Sequence, residues 1–240
     1  TSVHKLAPGH LLTWQAGDAS VWRYWNLEYE PKLGLTEDEA LAELEIRLDE
    51  AVRMRLIADV PLGALLSGGV DSSTVVALMA RHTGRVKTFS IGFDEPAFDE
   101  LAHARRVAER YGTDHHEFVV EPNAAEVLPT LVRHYGEPYA DSSAIPTFYV
   151  SQLARQHVTV VLNGDGGDEN FAGYDRYRAV QLAHWAQRVP GTRPMLRAAE
   201  RVVWRCPGMD GRLQRRMGRF FRGALLPMDA RYLQSVSYTH

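Results

Sequence analysis

The stretch Leu65-Leu66-Ser67-Gly68-Gly69-Val70-Asp71-Ser72-Ser73 decides the fold of this chain. It follows an apolar run from Val60 to Leu66, which is typical of a short buried strand. It precedes apolar residues that recur at helical spacing from Val75 to Met79. The stretch is therefore predicted to be the turn that leads from a strand into a helix.

Such a turn can bind an anion. Gly68 and Gly69 let the backbone approach a ligand closely, and the N–H groups at the start of the following helix point at it. The three serines of the stretch add hydroxyl donors. Asp71 would repel a phosphate group, so its presence indicates Mg²⁺ bridging the phosphate oxygens. The alternative is a turn that binds nothing, and the strict order of small and polar residues argues against it.

The turn differs from a Walker loop, because no lysine follows its glycines at the G-x-x-x-x-G-K-[ST] spacing. It resembles the SGGxDS loop of the N-type ATP pyrophosphatases, which cleave ATP between the α and β phosphates. This resemblance implies adenylation of an acid with pyrophosphate as the leaving group. Transfer of the γ-phosphoryl group is the chemistry that it argues against.

A second loop has a similar setting. The apolar run Val158–Leu162 leads directly into Asn163-Gly164-Asp165-Gly166-Gly167-Asp168-Glu169. Because loops at the carboxyl ends of parallel strands meet over one crevice, the two loops are predicted to share one ATP. The three carboxylates of the second loop also indicate a metal ion. A flexible turn or a calcium loop is the alternative, although the EF-hand pattern is absent.

Strand and helix signals alternate around these loops, which predicts an α/β fold with a parallel sheet flanked by helices. A helix is predicted from Thr36, where Thr36 and Glu39 form a capping box, with an apolar side that includes Leu41, Ile46 and Val52. The further predicted elements are Pro61–Leu66, Ser72–His82, Val86–Phe93, Asp99–Tyr111, His116–Val120, Ala124–Tyr135, Ala144–Gln156 and Val158–Leu162. Adjacent His115 and His116 would point to opposite faces of a strand, which argues against a shared metal.

Further motifs accompany the two loops. They are Phe89–Phe93, Asp94–Glu100, Asp114–Glu117, Glu137–Ser143 and Phe171–Tyr174. In this order and spacing, the chain from about Leu6 to Arg178 resembles the synthetase domain of glutamine-dependent asparagine synthetases. The resemblance implies the adenine nucleotide alpha-hydrolase-like (PP-loop) fold.

The resemblance also implies roles for single residues. The turn residues Ser67, Gly68, Gly69, Val70, Asp71, Ser72 and Ser73 would bind the pyrophosphate portion of ATP. Adenine and ribose would be held largely by main-chain contacts of Leu66, Ile91 and Gly164, with Asn163 beside them. Mg²⁺ would be bound by Asp71 and Asp168.

Two carboxylates are the candidate catalytic residues. Asp165 stands where family members carry a carboxylate that is important for forming the β-aspartyl-adenylate, and it could orient an amine or accept its proton. Glu137 and the pair Ser142-Ser143 fall in the loop on the substrate side. The implied reaction is ATP-dependent conversion of aspartate to asparagine with release of AMP and pyrophosphate. Ammonia would come from glutamine in the full-length parent.

Two alternatives stay open. A β-lactam or macrolactam synthetase-like cyclase would use an internal amine in place of ammonia. A non-catalytic nucleotide-binding module would bind ATP without turnover. Pyrophosphate exchange against a panel of acids separates these alternatives from asparagine synthesis.

The domain organisation follows from the same resemblance. Residues 1–30 are expected to be the C-terminal remnant of a glutaminase (class II amidotransferase) domain and a linker, and residues 31–240 the ATP-pyrophosphatase domain. Glutamine-dependent members begin with a catalytic cysteine, whereas residue 1 here is Thr1. The family's late lysine and its R-x-P-F-L-D signature have no match before His240. We therefore expect a C-terminally incomplete domain that binds ATP with little or no synthesis.

Composition agrees with a soluble, cytoplasmic enzyme. The chain is 45% hydrophobic and 24% charged, which is ordinary for a globular α/β domain. Its single cysteine, Cys206, rules out a disulfide framework within these 240 residues. The expected partners are small molecules, namely ATP, aspartate and ammonia, with no membrane and with a homodimer allowed for the full-length parent. Eleven arginines in residues 181–240 are better explained as solvated helix faces than as a nucleic-acid site.

Overall fold

The computed structural model describes most of the chain. The described residues are 3–93, 100–121, 123–136, 139, 141–189, 191–206, 210–228 and 230–232. Two compact units are present, Thr1–Leu48 and Asp49–His240. Their boundary falls inside helix α1 (Glu37–Arg55), which contributes residues to both units. The predicted division at residue 30 into two domains of different origin stays a prediction.

The first unit begins with an antiparallel hairpin. Strand β1 (His10–Gln15) pairs with β2 (Asp18–Arg23). The connecting residues Ala16 and Gly17 both have positive φ, 52° and 95°, as a two-residue turn that matches the twist of a hairpin requires. The first unit therefore begins with two paired β-strands.

Helix α1 begins at the predicted capping box. The backbone N–H of Thr36 donates to Glu39 at 2.8 Å, and the N–H of Glu39 donates to the Thr36 hydroxyl oxygen at 3.3 Å. The Glu39 carboxylate accepts hydrogen bonds from the N–H and the hydroxyl of Thr36, and these two bonds lower the pKa of Glu39 below its usual value. The predicted apolar side is only partly buried, because Val52 is buried but Leu41 and Ile46 are 56% and 62% exposed. Helical spacing places these two residues on the apolar side, but it does not by itself establish that they are buried.

The second unit contains a four-stranded parallel sheet with the order β5-β4-β3-β6. The strands are β3 (Leu62–Leu65), β4 (Lys87–Gly92), β5 (Asp114–Val119) and β6 (Val160–Leu162). Helices α2 (Val70–His82), α3 (Leu101–Tyr111), α4 (Ala124–Tyr135) and α5 (Ala144–Ala154) connect them. This architecture confirms the predicted α/β fold class.

Most predicted boundaries hold within two residues. The prediction for β5 was late by two residues, because the pairing of Lys87 with Asp114 begins the β4–β5 ladder before His116. Helix α5 ends at Ala154, two residues before the predicted end. In the described part of the chain, no helix is both long and apolar enough to span a bilayer.

The strand order creates a switch point beside β3. The chain proceeds from β3 through β4 to β5 on one side, and β6 then pairs with the other side of β3, with Ala64 opposite Leu162. In open α/β sheets the ligand crevice lies at the carboxyl ends of the strands where the order reverses. The loops that follow β3 and β6 are the two glycine-rich loops of the sequence.

The core of the sheet is centred on Phe89 of β4. This side chain is fully buried and packs against Val150, Ala154 and Val158. On the same face, the ring centroid of His116 lies 5.4 Å from that of Phe89.

Thr88 points to the opposite face of β4. Its hydroxyl lies 2.8 Å from Nδ1 of His115. The two adjacent histidines therefore lie on opposite faces of β5, as predicted.

Further helices follow the second loop and its short helix α6 (Gly167–Phe171). They include α7 (Asp175–Arg188), α8 (Thr192–Arg205) and α9 (Gly211–Ala224). They pack around Ala183, Leu196 and Ala224. The guanidinium of Arg231 is buried there and donates to the carbonyls of Gly223, Val180 and Leu226. Arginines at every fourth position of α8, from Arg193 to Arg205, are exposed.

The buried histidine on β5 gives a testable pH dependence. Burial lowers the pKa of His115 below 6.5, and the charges of His116 and Arg105 act in the same direction, whereas Glu117 opposes them. The unfolded chain therefore takes up a proton first as the pH falls. The free energy of unfolding should decrease below pH 6.5, and His115→Asn should reduce that decrease.

Urea denaturation at neutral pH and at a pH one to two units lower measures this effect. His134→Asn, on the exposed side of α4, is the matched control and should keep the wild-type pH dependence. Equal pH dependence in wild type and His115→Asn would contradict the assignment.

Candidate active site between two glycine-rich loops

The first loop, residues 66–69, is anchored on strand β4. The Leu66 side chain is 1% exposed, and its backbone N–H donates to the Phe89 carbonyl at 2.9 Å. The Leu66 carbonyl accepts the hydroxyl of the buried Ser90. These bonds extend the β3–β4 pairing by one residue and fix where the loop leaves the sheet.

Ser67 of the first loop and Ser72 and Ser73 at the start of α2 have different surroundings. The hydroxyls of Ser67 and Ser72 lie 2.9 Å apart, and the N–H of Gly69 donates to the Ser67 hydroxyl oxygen at 3.2 Å. Both hydroxyls therefore stabilise the loop itself. The Ser73 hydroxyl is buried and has no hydrogen-bond partner among the described residues. A buried polar group without a partner is costly, and a ligand that reached this hydroxyl would offset that cost.

Gly68 allows helix α3 to approach the first loop. Its φ is +83°, and a Cβ at this position would lie 2.6 Å from the backbone nitrogen of Ala104. Only glycine combines this backbone conformation with so close a neighbour. The beginning of α3 therefore packs directly on the loop.

The two loops touch each other. A Cβ on Gly164 would lie 2.7 Å from the backbone nitrogen of Ser72, and one on Gly167 would lie 2.7 Å from Oδ1 of Asp71. The second loop therefore lies over the N-terminal turn of α2, and the Asp71 carboxylate lies against the start of α6. The structure brings together the residues that the sequence singled out from two distant segments.

The second loop holds its own carboxylates in defined positions. The Asn163 side-chain amide donates to Oδ2 of Asp165 at 2.6 Å, and the N–H of Asp165 donates to Oδ1 of Asn163 at 3.3 Å. The Asp168 carboxylate contacts Gly173. Asp71 and Asp168 thus supply carboxylate oxygens from two adjoining loops, and such oxygens are the ligands that Mg²⁺ prefers. Their donor chemistry suits a magnesium ion, and the described residues hold no group of three or more His, Cys, Asp or Glu side chains that could bind a metal by themselves.

The segment on the predicted substrate side is partly described. Glu137 lies outside the described residues, and Ser142 and Ser143 are exposed at the start of α5. The ring of Tyr139 stacks on Tyr135 with centroids 4.1 Å apart.

The pKa of Tyr139 is influenced by the Asp165 carboxylate of the second loop. Partial burial raises the pKa of Tyr139, and the charges of Tyr135, Asp141 and Asp165 raise it further. This segment is therefore within electrostatic reach of Asp165.

A cavity of about 240 Å³ opens beside the first loop. Leu66, Ser67 and Ile91 are among its lining residues. The predicted roles of Leu66 and Ile91 in holding adenine and ribose, and of Ser67 in binding pyrophosphate, stay predictions. Gly164 does not line this cavity; it contacts α2 instead. The remaining lining residues are Leu65, Phe89, Ser90, Phe93, Glu100, Leu101, Ala104, Pro146, Thr147 and Val150.

Helices α3 and α5 supply lining residues that were not predicted. Phe148 and Tyr149 of α5 pack against Val127 and Leu131 of α4. The cavity is lined instead by the face of α5 that carries Thr147. The sequence feature that could have indicated this lining face is Pro146, which lies in the first turn of the apolar helix α5.

A hydrogen bond joins Glu169, the last residue of the second loop, to Tyr174. The Tyr174 hydroxyl donates to Oε1 of Glu169 at 2.7 Å. This bond raises the pKa of Tyr174 to about 12, and it lowers the pKa of Glu169. The guanidinium of Arg176 lies over the Tyr174 ring, 4.2 Å from its centroid.

Comparison with known protein families identifies the family to which this chain belongs. The sequence model described as asparagine synthase matches residues 43–235. The chain belongs to the asparagine synthase family. The resemblance predicted from the motifs is therefore confirmed.

Several curated members of the asparagine synthase family are similar to this chain. Asparagine synthetase [glutamine-hydrolyzing] 1 of Bacillus subtilis is 35% identical over 197 residues, which are 81% of this chain and 31% of that protein. Putative asparagine synthetase [glutamine-hydrolyzing] 2 of Methanocaldococcus jannaschii is 43% identical over 155 residues, 63% of this chain and 30% of that protein. Amidase chyE of Penicillium rubens is 35% identical over 202 residues, 75% of this chain and 30% of that protein.

The chain spans about a third of the length of these curated relatives. Among solved structures, the NH3-dependent NAD synthetase from Campylobacter jejuni is similar, with a TM-score of 0.39 and 9% identity. The similarity covers 83% of this chain and 98% of that one. It is too weak to add to the family assignment.

The contact between the two loops predicts how this asparagine synthase domain responds to an added methyl group. Gly164→Ala should destabilise the fold by about 1–3 kcal/mol, because its Cβ would meet the backbone of α2. Gly84→Ala is the matched control, since no atom lies within 4 Å of its Cβ position. Urea denaturation measures both variants. Equal stabilities of Gly164→Ala and Gly84→Ala would contradict the contact.

Proposed function

We propose that this chain is the ATP-binding part of an ATP-dependent amide-forming ligase. Its substrate would be aspartate, which is activated as a β-aspartyl-adenylate and converted by ammonia to asparagine. The observation that carries this proposal is the contact of Asp71 and the start of α2 with the second glycine-rich loop. It creates one site that combines an anion-binding turn with carboxylates, at the switch point of a parallel sheet.

The pyrophosphate portion of ATP would bind at the first loop. The backbone N–H groups at the start of α2 and the positive end of its dipole favour an anion there. The buried Ser73 hydroxyl adds a donor that the protein itself leaves without a partner among the described residues. Ser67 and Ser72 act indirectly by keeping the loop in shape.

The adenine and ribose would occupy the cavity beside Leu66 and Ile91. The apolar walls from Phe89, Leu101 and Val150 suit a planar base. The Leu66 carbonyl already accepts the Ser90 hydroxyl, but a carbonyl oxygen has a second lone pair for a ligand. Recognition through this main-chain group would favour a base with an exocyclic amine.

The carboxylates Asp71 and Asp168 would hold Mg²⁺. When bound, this ion neutralises negative charge on the phosphate oxygens. Asp71 is suited to this role because its carboxylate lies where the two loops touch. Both residues fit the ion by the chemistry of their oxygens.

Asp165 would serve the second half of the reaction. A free carboxylate is a poor electrophile, so adenylation supplies AMP as a better leaving group. Ammonia then attacks the acyl carbon, the bond to AMP breaks, and the nitrogen must lose a proton. Asp165, which Asn163 orients, would accept that proton.

The identity of the acid and of the amine distinguishes the two candidate functions. Relatives of similar identity carry the names asparagine synthetase and amidase. Glutamine as the ammonia source, a homodimer and a cytoplasmic location remain expectations. A cyclase that activates another acid is the second candidate.

Labelled pyrophosphate exchange into ATP tests the reaction. The protein should incorporate label when aspartate and Mg²⁺ are present, because adenylate formation is reversible while pyrophosphate is bound. Exchange with a β-amino acid derivative in place of aspartate would favour the cyclase. ATP binding without exchange with any acid would identify a non-catalytic module and overturn the proposal.

The metal assignment predicts the effect of two conservative substitutions. Asp71→Asn and Asp168→Asn should each weaken binding of Mg-ATP by at least about tenfold, while ATP without metal binds as before or better. Asp59→Asn, an exposed carboxylate before β3, is the matched control. Calorimetric titration with and without Mg²⁺ measures these affinities. Unchanged Mg-ATP affinity in both variants would remove the metal assignment.

A further inference from the structure

The residues that follow α6 form a closed turn around Asp168. Ala172 adopts a left-handed conformation with φ of 56°, and the N–H of Gly173 donates to the Asp168 carbonyl at 3.0 Å. The Tyr174 hydroxyl then closes the turn by donating to Glu169 at 2.7 Å. One backbone bond and one side-chain bond thus tie residues 168–174 into a unit.

Gly173 forms one wall of the space that the Asp168 carboxylate occupies. A Cβ on Gly173 would collide with Oδ1 of Asp168. The φ of Gly173 is not positive, so alanine could adopt the same backbone. The position of Gly173 therefore determines which way the Asp168 carboxylate points.

The Tyr174 ring is held independently of its hydroxyl. Arg176 lies over one part of the ring, and the centroid of Tyr177 is 5.7 Å away. Tyr177 in turn stacks on Tyr232 with centroids 6.3 Å apart. Removing the hydroxyl alone should therefore leave the ring in place and break only the bond to Glu169.

We infer that Tyr174 is a positioning residue for the magnesium ligand Asp168. Its bond to Glu169 fixes the closed turn, and the turn fixes Gly173 against the Asp168 carboxylate. The consequence is a higher affinity for the Mg²⁺ that accompanies ATP. This inference rests on the proposed function, because it needs Asp168 to bind that ion.

The experiment compares Tyr174→Phe, Gly173→Ala and the wild type by calorimetric titration of ATP with and without Mg²⁺. Tyr174→Phe should weaken Mg-ATP binding by about tenfold, as loss of a group that orients a metal ligand typically does. Gly173→Ala should weaken it at least as much, since the added methyl displaces the carboxylate. Affinity for ATP without metal should stay at the wild-type value in both variants.

Tyr177→Phe is the matched control. It removes a hydroxyl from the neighbouring ring, which does not bond to Glu169, and it should leave the Mg-ATP affinity unchanged. Mn²⁺ binding in the presence of ATP, followed by electron paramagnetic resonance, gives a second measure of the metal site. Thermal unfolding verifies that each variant is folded, and Gly173→Ala reports on the turn if Tyr174→Phe does not fold.

The outcomes separate the two proposals. A wild-type protein whose ATP binding does not depend on Mg²⁺ overturns the proposed function, and this inference with it. Wild-type binding that depends on Mg²⁺, combined with unchanged affinity in Tyr174→Phe and Gly173→Ala, overturns only the positioning role. An equal loss of ATP affinity with and without Mg²⁺ in these two variants also overturns the positioning role, because that result indicates a general structural effect.

Discussion

The contact between the two glycine-rich loops is the constraint on which the rest of the site depends. Asp71 lies against Gly167, and Gly164 lies against the backbone at Ser72. A side chain at either glycine would separate the loops. The need for close approach explains why two segments far apart in the sequence are both rich in glycine.

Around this contact, neighbouring residues fix several of the candidate side chains. The hydroxyls of Ser67 and Ser72 hold the first loop in shape, whereas the buried Ser73 hydroxyl has no partner among the described residues. Asn163 orients Asp165. The pattern is that of a preorganised site, in which polar groups are aligned before the reactants arrive and little reorganisation is needed during the reaction.

Features encoded by neighbouring residues could be predicted from the sequence, whereas contacts between distant elements could not. The capping box at Thr36 and the strand before Ser67 depend on local spacing, and both are present. The lining of the cavity by Thr147 depends on how α5 packs on the sheet, which no local pattern specifies. The exposure of Ile46 shows that helical spacing alone does not establish burial.

The position of β6 has a consequence for the order of folding. This strand has three residues, and it pairs with β3 only after the segments that carry β4, β5 and helices α2 to α5 have been synthesised between them. Contacts between residues so distant in the chain form late, because closing a long loop costs entropy before any pairing offsets it. The half of the site on the first loop can form with β3 and β4, but the complete site forms only when the last strand docks. Nucleotide binding by a refolding chain would therefore report completion of the sheet and not its initial collapse.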